Sequence, residues 1–243
     1  TLKLVSHLWS IMKKKLTLSN VTLLAATSVD VDETQLAMKI SMHNINFGSV
    51  KLLSSTVPKI KYPDIEYVSV PEMNLAGYNK FIIEDLYKHF ETSHCLIIQA
   101  DGFVINSKLW KNEFLEYDYI GAPWSEKVVF NSELTLDMKK NCVGNGGFSL
   151  RSSRLVNVTK KINLSLLNFP LMNEDVIICH YLYEQMKKEG IRFAQPEIAS
   201  QFSLENINQL YNQSAHNVFG FHGKYLREYF LKEYALRASI GEW

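Results

Sequence analysis

The chain has 243 residues, 47% of them hydrophobic and 21% charged, which is the composition of an ordinary globular protein and excludes a disordered one. Its 26 Lys and Arg against 25 Asp and Glu give a net charge of +1, without the basic excess that an electrostatic nucleic-acid binder needs. We therefore expect no nucleic acid among its partners. The composition is compatible with a small-molecule or a glycan substrate.

The cysteines indicate a reducing compartment. Cys95, Cys142 and Cys179 are odd in number and form no CxxC pair, so neither a disulfide framework nor a structural zinc site is expected. Cys95 and Cys179 lie in apolar runs and are predicted to be small buried hydrophobes. This usage favours a cytoplasmic location.

Residues 1–18 are predicted to be an appendage to one domain spanning residues 19–243. No run of about 18 apolar residues indicates a transmembrane helix, and the start lacks a signal-peptide cleavage pattern. The stretch mixes apolar residues with Lys3 and Lys13 to Lys15. Three alternatives stay open: a surface helix on the inner face of a membrane, a linker from a preceding domain, and an expression-derived extension.

The first hundred residues predict the order β-α-β-β-α-β. Apolar runs predict four strands, which are Val21 to Ala26, Val50 to Leu53, Ile65 to Val70 and Cys95 to Ile98. Helical spacing predicts one helix through Leu36, Ala37, Ile40 and Phe47, capped by Asp30 or Asp32 and ended by Gly48, and another over residues 79–91. Strands one and four should open onto a shared cleft. A Gly-x-Gly-x-x-Gly motif is absent after strand one, which counts against a dinucleotide enzyme.

The second half is less regular. Residues 104–140 read as loop with aromatic side chains, a type that suits stacking on a sugar or packing beneath a long loop. A short strand is predicted for Phe148 to Leu150 and a helix from Arg154 onward. A further helix over residues 176–188 should end at Gly190. Phe193 to Ala199 is predicted to be an edge strand because it contains Pro196.

Three short patterns carry candidate chemistry. Asp101 and Gly102 follow the fourth strand, where a carboxylate can hold a divalent cation beside phosphates; the alternative is a plain Asp-Gly turn. Gly146 and Gly147 predict either a backbone shelf for a ligand or a tight turn. Glu174 and Asp175 open an apolar helix, either as acid/base carboxylates or as partners of the helix dipole. His222 lies between two glycines and is a further ligand candidate.

Taken in order, these motifs resemble a glycosyltransferase of the GT-A fold. The closest resemblance is to a bacterial family from surface-polysaccharide loci, long labelled a domain of unknown function. It rests on Q-x-D-G-F-V at Gln99 to Val104, Y-D-Y-I-G-A-P-W at Tyr117 to Trp124, and G-N-G-G-F-S-L-R at Gly144 to Arg151. The glycine and Glu-Asp-Val stretches also resemble animal β-1,3-galactosyltransferase-type enzymes. The implied fold is a single GT-A-like (Rossmann-like) α/β domain with a central mixed sheet flanked by helices.

The resemblance also implies a role for each matched residue. Asp101 and His222 would hold Mn²⁺ or Mg²⁺, although Gln99 replaces the first acidic residue of the usual Asp-x-Asp metal motif. Asp175 would be the catalytic base, and Glu174 and Trp124 would bind the acceptor. The donor would be bound by residues spread along the chain: Thr27, Ser28, Tyr78, Lys80, Gln99, Asp101, Gly146, Gly147 and Lys224.

The implied activity is an inverting, hexosyltransferase-like enzyme. It would transfer a sugar from a nucleotide-sugar donor, with UDP favoured, to a hydroxyl of a glycan or lipid-linked glycan in lipopolysaccharide or capsule biosynthesis. Sugar transfer requires a cation for the leaving diphosphate and a base for the acceptor hydroxyl. Two alternatives remain. One is a non-catalytic nucleotide-sugar or glycan-binding module. The other is a nucleotidyltransferase, which would want a Gly-rich basic loop after strand one.

Overall fold

A six-stranded mixed sheet forms the centre of the protein, with strand order β3-β2-β1-β4-β9-β6. In the computed structural model, the described residues are 15–130, 134–206, 213–214 and 217–239. The predicted appendage therefore lies mostly outside them. The strands of the central sheet are β1 (Leu16–Thr27), β2 (Ile45–Ser54), β3 (Glu66–Ser69), β4 (His94–Ile98), β6 (Tyr119–Ile120) and β9 (Phe148–Ser152). None of the helices within these ranges is both long and apolar enough to cross a membrane.

The parallel half of the sheet has the predicted β-α-β-β-α-β order. β1 pairs in parallel with β2 and β4, and β2 pairs in parallel with β3. The helices of this half are α1 (Val31–Met42) and α2 (Leu75–Lys80), and α2 continues through a π turn over Phe81–Asp85 and a 3₁₀ turn over Leu86–Lys88. Asp30 lies at the N-cap of α1 in a left-handed conformation, but its side chain makes no capping hydrogen bond.

The predicted extension of the first helix to Phe47 and Gly48 is wrong, because both residues lie in β2. The register between β1 and β2 shifts between Leu18 and Thr22. A Cβ atom added at Gly48 would lie 2.1 Å from the Ser19 carbonyl oxygen on β1. Gly48 therefore permits a close approach of two strands and does not end a helix.

Both faces of the sheet are covered, as the alternation of side chains along β1 requires. Leu23 and Ala25 pack in one cluster with Met38 of α1. Leu24 and Ala26 pack in a second cluster with Phe81 and Ile82, which follow α2. The predicted class is confirmed: the fold is α/β, with a central mixed sheet flanked by helices.

The second half adds antiparallel strands and a projecting hairpin. β9 pairs antiparallel with both β4 and β6, and β7 (Lys127–Phe130) pairs antiparallel with β8 (Leu134–Asp137). Residues 104–130 and 134–140 therefore contain more regular structure than predicted. The helices that follow β9 are α3 (Ser153–Thr159), α4 (Glu174–Val176), α5 (Tyr183–Lys188) and α6 (Pro196–Phe202), with a π turn over Ile177–Tyr181 between α4 and α5.

The prediction of an edge strand at Phe193 to Ala199 is wrong. Pro196 occupies the first turn of α6. Proline suits this position as well as a sheet edge, because the missing N–H is one that a helix leaves unpaired anyway. The predicted helix end at Gly190 has the left-handed φ of +80° that glycine readily adopts. Cys95 and Cys179 are fully buried, and all three cysteines are free thiols.

A small three-stranded sheet ties the C-terminal part of the chain to the end of β4. It consists of β5 (Gly102–Val104), β10 (Ser203–Leu204) and β11 (Gly220–His222), in the order β10-β11-β5. The antiparallel pairing of β11 with β5 aligns His222 with Gly102. Helix α7 (Lys224–Ser239) begins directly afterwards.

Candidate functional site

Two adjoining cavities lie at the carboxyl ends of β1 and β4. The β1–β4 cavity, of about 520 Å³, is lined by Thr27, Ser28, Tyr78, Gln99, Asp101 and Lys224. The second cavity, of about 550 Å³, is lined by Trp124, Gly146, Gly147, Glu174, Asp175 and His222. We call it the ribbon cavity, because an antiparallel ribbon of residues 121–130 and 134–144 forms one wall. Tyr78 and Gln99 line both. Parallel α/β sheets place ligand sites at this edge. Residues far apart in the sequence are thus gathered in one place.

Three polar side chains converge at the junction of the two cavities. The Nε2 atom of His222 lies 3.2 Å from Asp101 Oδ1 and 3.2 Å from Gln99 Oε1. The amide of Gln99 is oriented by its nitrogen, which donates to the Tyr78 hydroxyl at 3.0 Å. The β5–β11 pairing brings His222 to Asp101, and the Gly223 N–H donates to the Asp101 carbonyl oxygen at 2.9 Å.

The electrostatics of this junction favour a charged imidazole and a charged carboxylate. Burial alone would lower the pKa of His222, but hydrogen bonds to Asp101 and Glu205 raise that pKa to about 9. Burial would raise the pKa of Asp101, but the hydrogen bond and charge of His222 hold it below its usual value. A positive charge between these groups is therefore stabilised by the site.

The same three donor atoms fit a divalent cation. A carboxylate oxygen, an amide oxygen and an imidazole nitrogen are ligands that Mn²⁺ accepts, and the amide orientation set by Tyr78 leaves the Gln99 oxygen facing His222. Within the described ranges, no group of three His, Cys, Asp or Glu side chains is arranged to hold a metal. A cation held by Asp101 and His222 would therefore take Gln99 as a neutral third ligand.

Asp175 is held by backbone N–H groups in the ribbon cavity. Its Oδ2 accepts from the Gly146 N–H at 3.0 Å, and its Oδ1 accepts from the Val176 N–H at 2.8 Å. Burial, and then the negative charge of Glu174, raise the pKa of Asp175 to about 6, against the effect of these two hydrogen bonds. A carboxylate with this pKa is mostly ionised at neutral pH and is a stronger base than an ordinary aspartate.

Glu174 makes a buried ion pair with Arg151. The two carboxylate oxygens lie 2.8 and 2.7 Å from the two terminal guanidinium nitrogens. The Arg151 side chain is 1% exposed, and its guanidinium also lies over the Tyr119 ring. The predicted contact of Glu174 with an acceptor stays a prediction, since the structure engages both of its oxygens with Arg151.

The glycine shelf makes room for protein side chains. A Cβ atom on Gly146 would lie 1.8 Å from Glu174 Oε1, and one on Gly147 would lie 2.2 Å from His222 Nε2. Both glycines line the ribbon cavity, but the space that a side chain would need is taken by Glu174 and His222. The predicted contact of these two glycines with the donor sugar stays a prediction.

A long antiparallel ribbon walls the second cavity. We define the ribbon as residues 121–130 and 134–144. It is held by the Gly144 N–H donating to the Ala122 carbonyl oxygen at 3.2 Å and by the Trp124 N–H donating to that of Cys142 at 2.7 Å. Trp124 packs against Gly144, where a Cβ atom would lie 2.0 Å from the indole ring. Trp124 thus lines the ribbon cavity with its ring packed against Gly144, and its predicted contact with an acceptor stays a prediction.

The remaining residues that were predicted to bind the nucleotide-sugar donor fall into two groups. Ser28 accepts the Met73 N–H at 2.8 Å, Thr27 accepts the Val29 N–H at 3.1 Å, and Lys224 starts α7; all three line the β1–β4 cavity. Lys80 is exposed, lines neither of the two cavities, and lies 3.7 Å from Glu84. The structure therefore does not bring Lys80 into either cavity.

Three residues of the site escaped sequence reasoning. Arg227 lines the β1–β4 cavity and donates to the Ala100 carbonyl oxygen at 3.0 Å. Its position one helical turn after Lys224 could have indicated that it lies on the same side of the helix. Glu205 lies 3.4 Å from His222 Nδ1. Arg151 ends the glycine motif, but nothing in the sequence pairs it with Glu174. Contacts of this kind arise only in the folded chain.

The solved structures to which this chain is similar include three glycosyltransferases of low identity. An active-site mutant of LgtC is 10% identical, with a TM-score of 0.46 over 87% of this chain and 94% of that one. A glycosyltransferase involved in glycosylation of the major capsid of PBCV-1 is 14% identical, with a TM-score of 0.48 over 87% and 98%. A Pyrobaculum calidifontis mannosyltransferase in complex with GDP-Man and Mn²⁺ is 10% identical, with a TM-score of 0.43 over 79% and 60%.

Sequence comparison identifies the family but no characterised relative. No curated protein matches the chain. The family described as "Protein of unknown function (DUF5672)" matches residues 64–222, which include Asp101, the glycine shelf, Asp175 and His222. The chain belongs to the DUF5672 family.

Proposed function

We propose that this protein is a glycosyltransferase that moves a sugar from a nucleotide-sugar donor to a hydroxyl of a glycan acceptor. The donor nucleotide binds in the β1–β4 cavity and the acceptor in the ribbon cavity, so that the sugar lies at their junction beside Gln99 and Tyr78. A UDP-linked donor, an acceptor that is a surface glycan or lipid-linked glycan, and a role in lipopolysaccharide or capsule biosynthesis belong to the same proposal.

One observation carries the proposal: a carboxylate oriented by two backbone N–H groups and a cluster of three side-chain donor atoms that would fit a cation line one cleft. Asp175 is fixed by the Gly146 and Val176 N–H groups and lines the ribbon cavity. Asp101, Gln99 and His222 converge between the cavities. Transfer of a sugar needs both elements, a base at the acceptor hydroxyl and positive charge at the leaving diphosphate.

The residues of the cleft have separate roles in the proposed reaction. Asp175 accepts the proton of the acceptor hydroxyl as that oxygen attacks the anomeric carbon. Lys224 lines the β1–β4 cavity and supplies a positive charge for the diphosphate, and Arg227 lines the same cavity while paired with Glu33 at 2.7 Å. Mn²⁺ or Mg²⁺, when bound by Asp101, His222 and Gln99, supplies further charge neutralisation for the leaving group.

The availability of carboxylates supports an inverting reaction. Three carboxylates among the described residues line the ribbon cavity, namely Glu174, Asp175 and Glu205. Glu174 is paired with Arg151, and Glu205 lies against His222. Asp175 alone keeps oxygens that are contacted only by backbone N–H groups. One base and no second free carboxylate suits a single displacement, which inverts the anomeric carbon.

A turnover screen against a panel of nucleotide sugars tests the proposal. The protein is incubated with each donor, a mixed glycan acceptor and either Mn²⁺ or EDTA, and release of the nucleoside diphosphate is measured. We expect release with at least one donor, and its loss in Asp101→Ala together with an unchanged melting temperature. Absence of release with every donor would contradict an enzyme.

A non-catalytic nucleotide-sugar-binding module is the second candidate. This candidate is favoured because Asp101 is a single carboxylate at the junction, where the neutral Gln99 takes the place of a second carboxylate. Donor binding measured by calorimetry separates the two functions. Saturable binding without release of nucleoside diphosphate would identify the module, and binding with release would identify the enzyme.

A further inference from the structure

Glu205 lies on the far side of His222 from the cation-binding cluster. Glu205 directly follows β10, and the parallel pairing of Leu204 with Phe221 continues the register so that Glu205 faces His222. Glu205 Oε1 lies 3.4 Å from His222 Nδ1, whereas Asp101 Oδ1 lies 3.2 Å from His222 Nε2. The imidazole is therefore held between two carboxylates, one on each ring nitrogen.

The contact with Glu205 determines what the other ring nitrogen can do. In the charged imidazole both ring nitrogens carry a proton, and a metal ion can bind Nε2 only when its proton leaves, which gives a neutral imidazole with one N–H and one lone pair. When Nδ1–H donates to Glu205, the lone pair of Nε2 faces Asp101 Oδ1 and the Gln99 amide oxygen, both of which are also electron-rich. Three lone pairs at this separation repel unless a proton or a metal ion lies between them. The arrangement therefore prepares a place for one cation.

Glu205 also supplies a charge that the cluster otherwise lacks. Gln99 is neutral, so Asp101 is the one carboxylate among the described residues in direct contact with Nε2. Glu205 adds a second negative charge one imidazole away, and its side chain is 27% exposed, so its charge is only partly screened by water. Histidine ligands of metals commonly donate their other N–H to a carboxylate, which fixes the ring and makes it more basic.

We propose that Glu205 is a positioning residue of a divalent-cation site made by Asp101, Gln99 and His222. It holds the His222 tautomer that presents Nε2 to the cation, and it restores the net charge that Gln99 omits. This inference deepens the proposed function, because the cation would be the one that neutralises the donor diphosphate. It concerns cation binding, so it is tested without any transfer reaction.

Mn²⁺ binding to the full chain, measured by electron paramagnetic resonance of the free ion without nucleotide, tests the role of Glu205. Glu205→Ala should weaken binding about 10–100-fold, the range seen when such a partner of a metal-bound histidine is removed. Glu205→Gln should weaken it less, because the amide oxygen still accepts the Nδ1–H while the charge is lost. Glu197→Gln is the matched control, an exposed carboxylate on α6 outside both cavities, and should bind Mn²⁺ like the wild type.

The tautomer of His222 gives a second readout, which a merely structural carboxylate would not move. In ¹⁵N NMR spectra of the Mg²⁺-loaded protein, we expect the proton of His222 on Nδ1 in the wild type and a mixture of tautomers in Glu205→Ala. Circular dichroism checks that the variants fold; if the alanine variant does not, the Mn²⁺ affinity of the glutamine variant, which loses only the charge, tests the inference.

Two results would overturn the inference. Mn²⁺ affinity in a folded Glu205→Ala or Glu205→Gln variant that equals the wild type would remove the positioning role. Failure of the wild-type chain to bind Mn²⁺ at millimolar concentration would remove the cation site itself. The proposed transfer reaction is tested separately, by measuring release of the nucleoside diphosphate in EDTA. Release in EDTA would show that transfer needs no metal, and the proposed function would then hold without the cation site.

Discussion

The two cavities of the cleft are built in different ways. The β1–β4 cavity is made by the ends of parallel strands and the start of α7, and its ion pair between Arg227 and Glu33 is partly exposed. The ribbon cavity rests on a buried ion pair, on glycines with no room for a Cβ atom, and on residues paired across long stretches of sequence. Substitutions should therefore reduce binding in the first cavity and stability as well as function in the second.

The largest effect on stability should come from the ion pair beneath the ribbon cavity. Arg151→Met leaves Glu174 buried without its partner, which costs about 3–5 kcal/mol of unfolding free energy. Arg192→Met is the contrast, because Arg192 lies 3.9 Å from Glu116 with both side chains more than half exposed, and pairs of that kind contribute about 0–1 kcal/mol. Urea denaturation followed by circular dichroism measures both. Similar losses in the two variants would contradict the claim that the buried ion pair beneath the ribbon cavity is important for stability.

A smaller effect is expected at the glycine shelf. Gly147→Val places carbon atoms where His222 Nε2 now lies, so the imidazole must move, at a cost of about 1–3 kcal/mol. Mn²⁺ binding should be lost with it. Gly77→Ala is the matched control: its Cβ atom would meet its nearest neighbours at 3.5 Å on a helix, and it should gain about 0.5–1 kcal/mol.

Thermal unfolding and Mn²⁺ titration together check this prediction. If Gly147→Val kept both the melting temperature and the Mn²⁺ affinity of the wild type, the packing of His222 against this glycine would not matter. If it lost sugar transfer while keeping both, the ligand-facing shelf predicted from the sequence would be the better account.

The smallest effect should occur in the β1–β4 cavity. Lys224→Ala removes one exposed positive charge near the proposed diphosphate and should weaken binding of a nucleoside diphosphate by about 1 kcal/mol, without loss of stability. Lys80→Ala should change nothing, since Lys80 lines neither of the two cavities. Calorimetric titration with UDP in EDTA compares the two. A larger loss in Lys80→Ala would place the nucleotide elsewhere.

The fold and the site could be predicted to different depths. The buried run at β4, ended by Asp101 and Gly102, predicted both a strand and a cleft residue, because a local pattern sufficed. Gly48 and Pro196 were assigned wrongly, since glycine serves a close strand approach as well as a helix end, and proline serves a first helical turn as well as a sheet edge. The pairings of Arg151 with Glu174 and of Glu205 with His222 had no local pattern, because they depend on how distant strands are ordered in the sheets.

The raised pKa of Asp175 predicts that both the activity and the stability of the protein depend on pH. Its ionised form is the base, so kcat/KM should fall as pH decreases through about 6. Because the pKa is raised by folding, the folded chain binds this proton more tightly than the unfolded chain, and stability decreases as pH rises toward 6. Asp175→Asn removes this titration, so the decrease in stability between about pH 4 and pH 6 should be absent from the variant. A variant whose stability still decreased in that range would contradict the raised pKa of Asp175.

The rate and stereochemistry of sugar transfer in Asp175→Asn test the central claim most directly. With the donor found in the screen, kcat should fall on the order of 10²–10⁴-fold, while UDP affinity equals that of the wild type. Proton NMR of the wild-type product should show an inverted anomeric configuration. Near-normal turnover in Asp175→Asn, or a retained configuration in the wild type, would contradict Asp175 as the base of a single displacement.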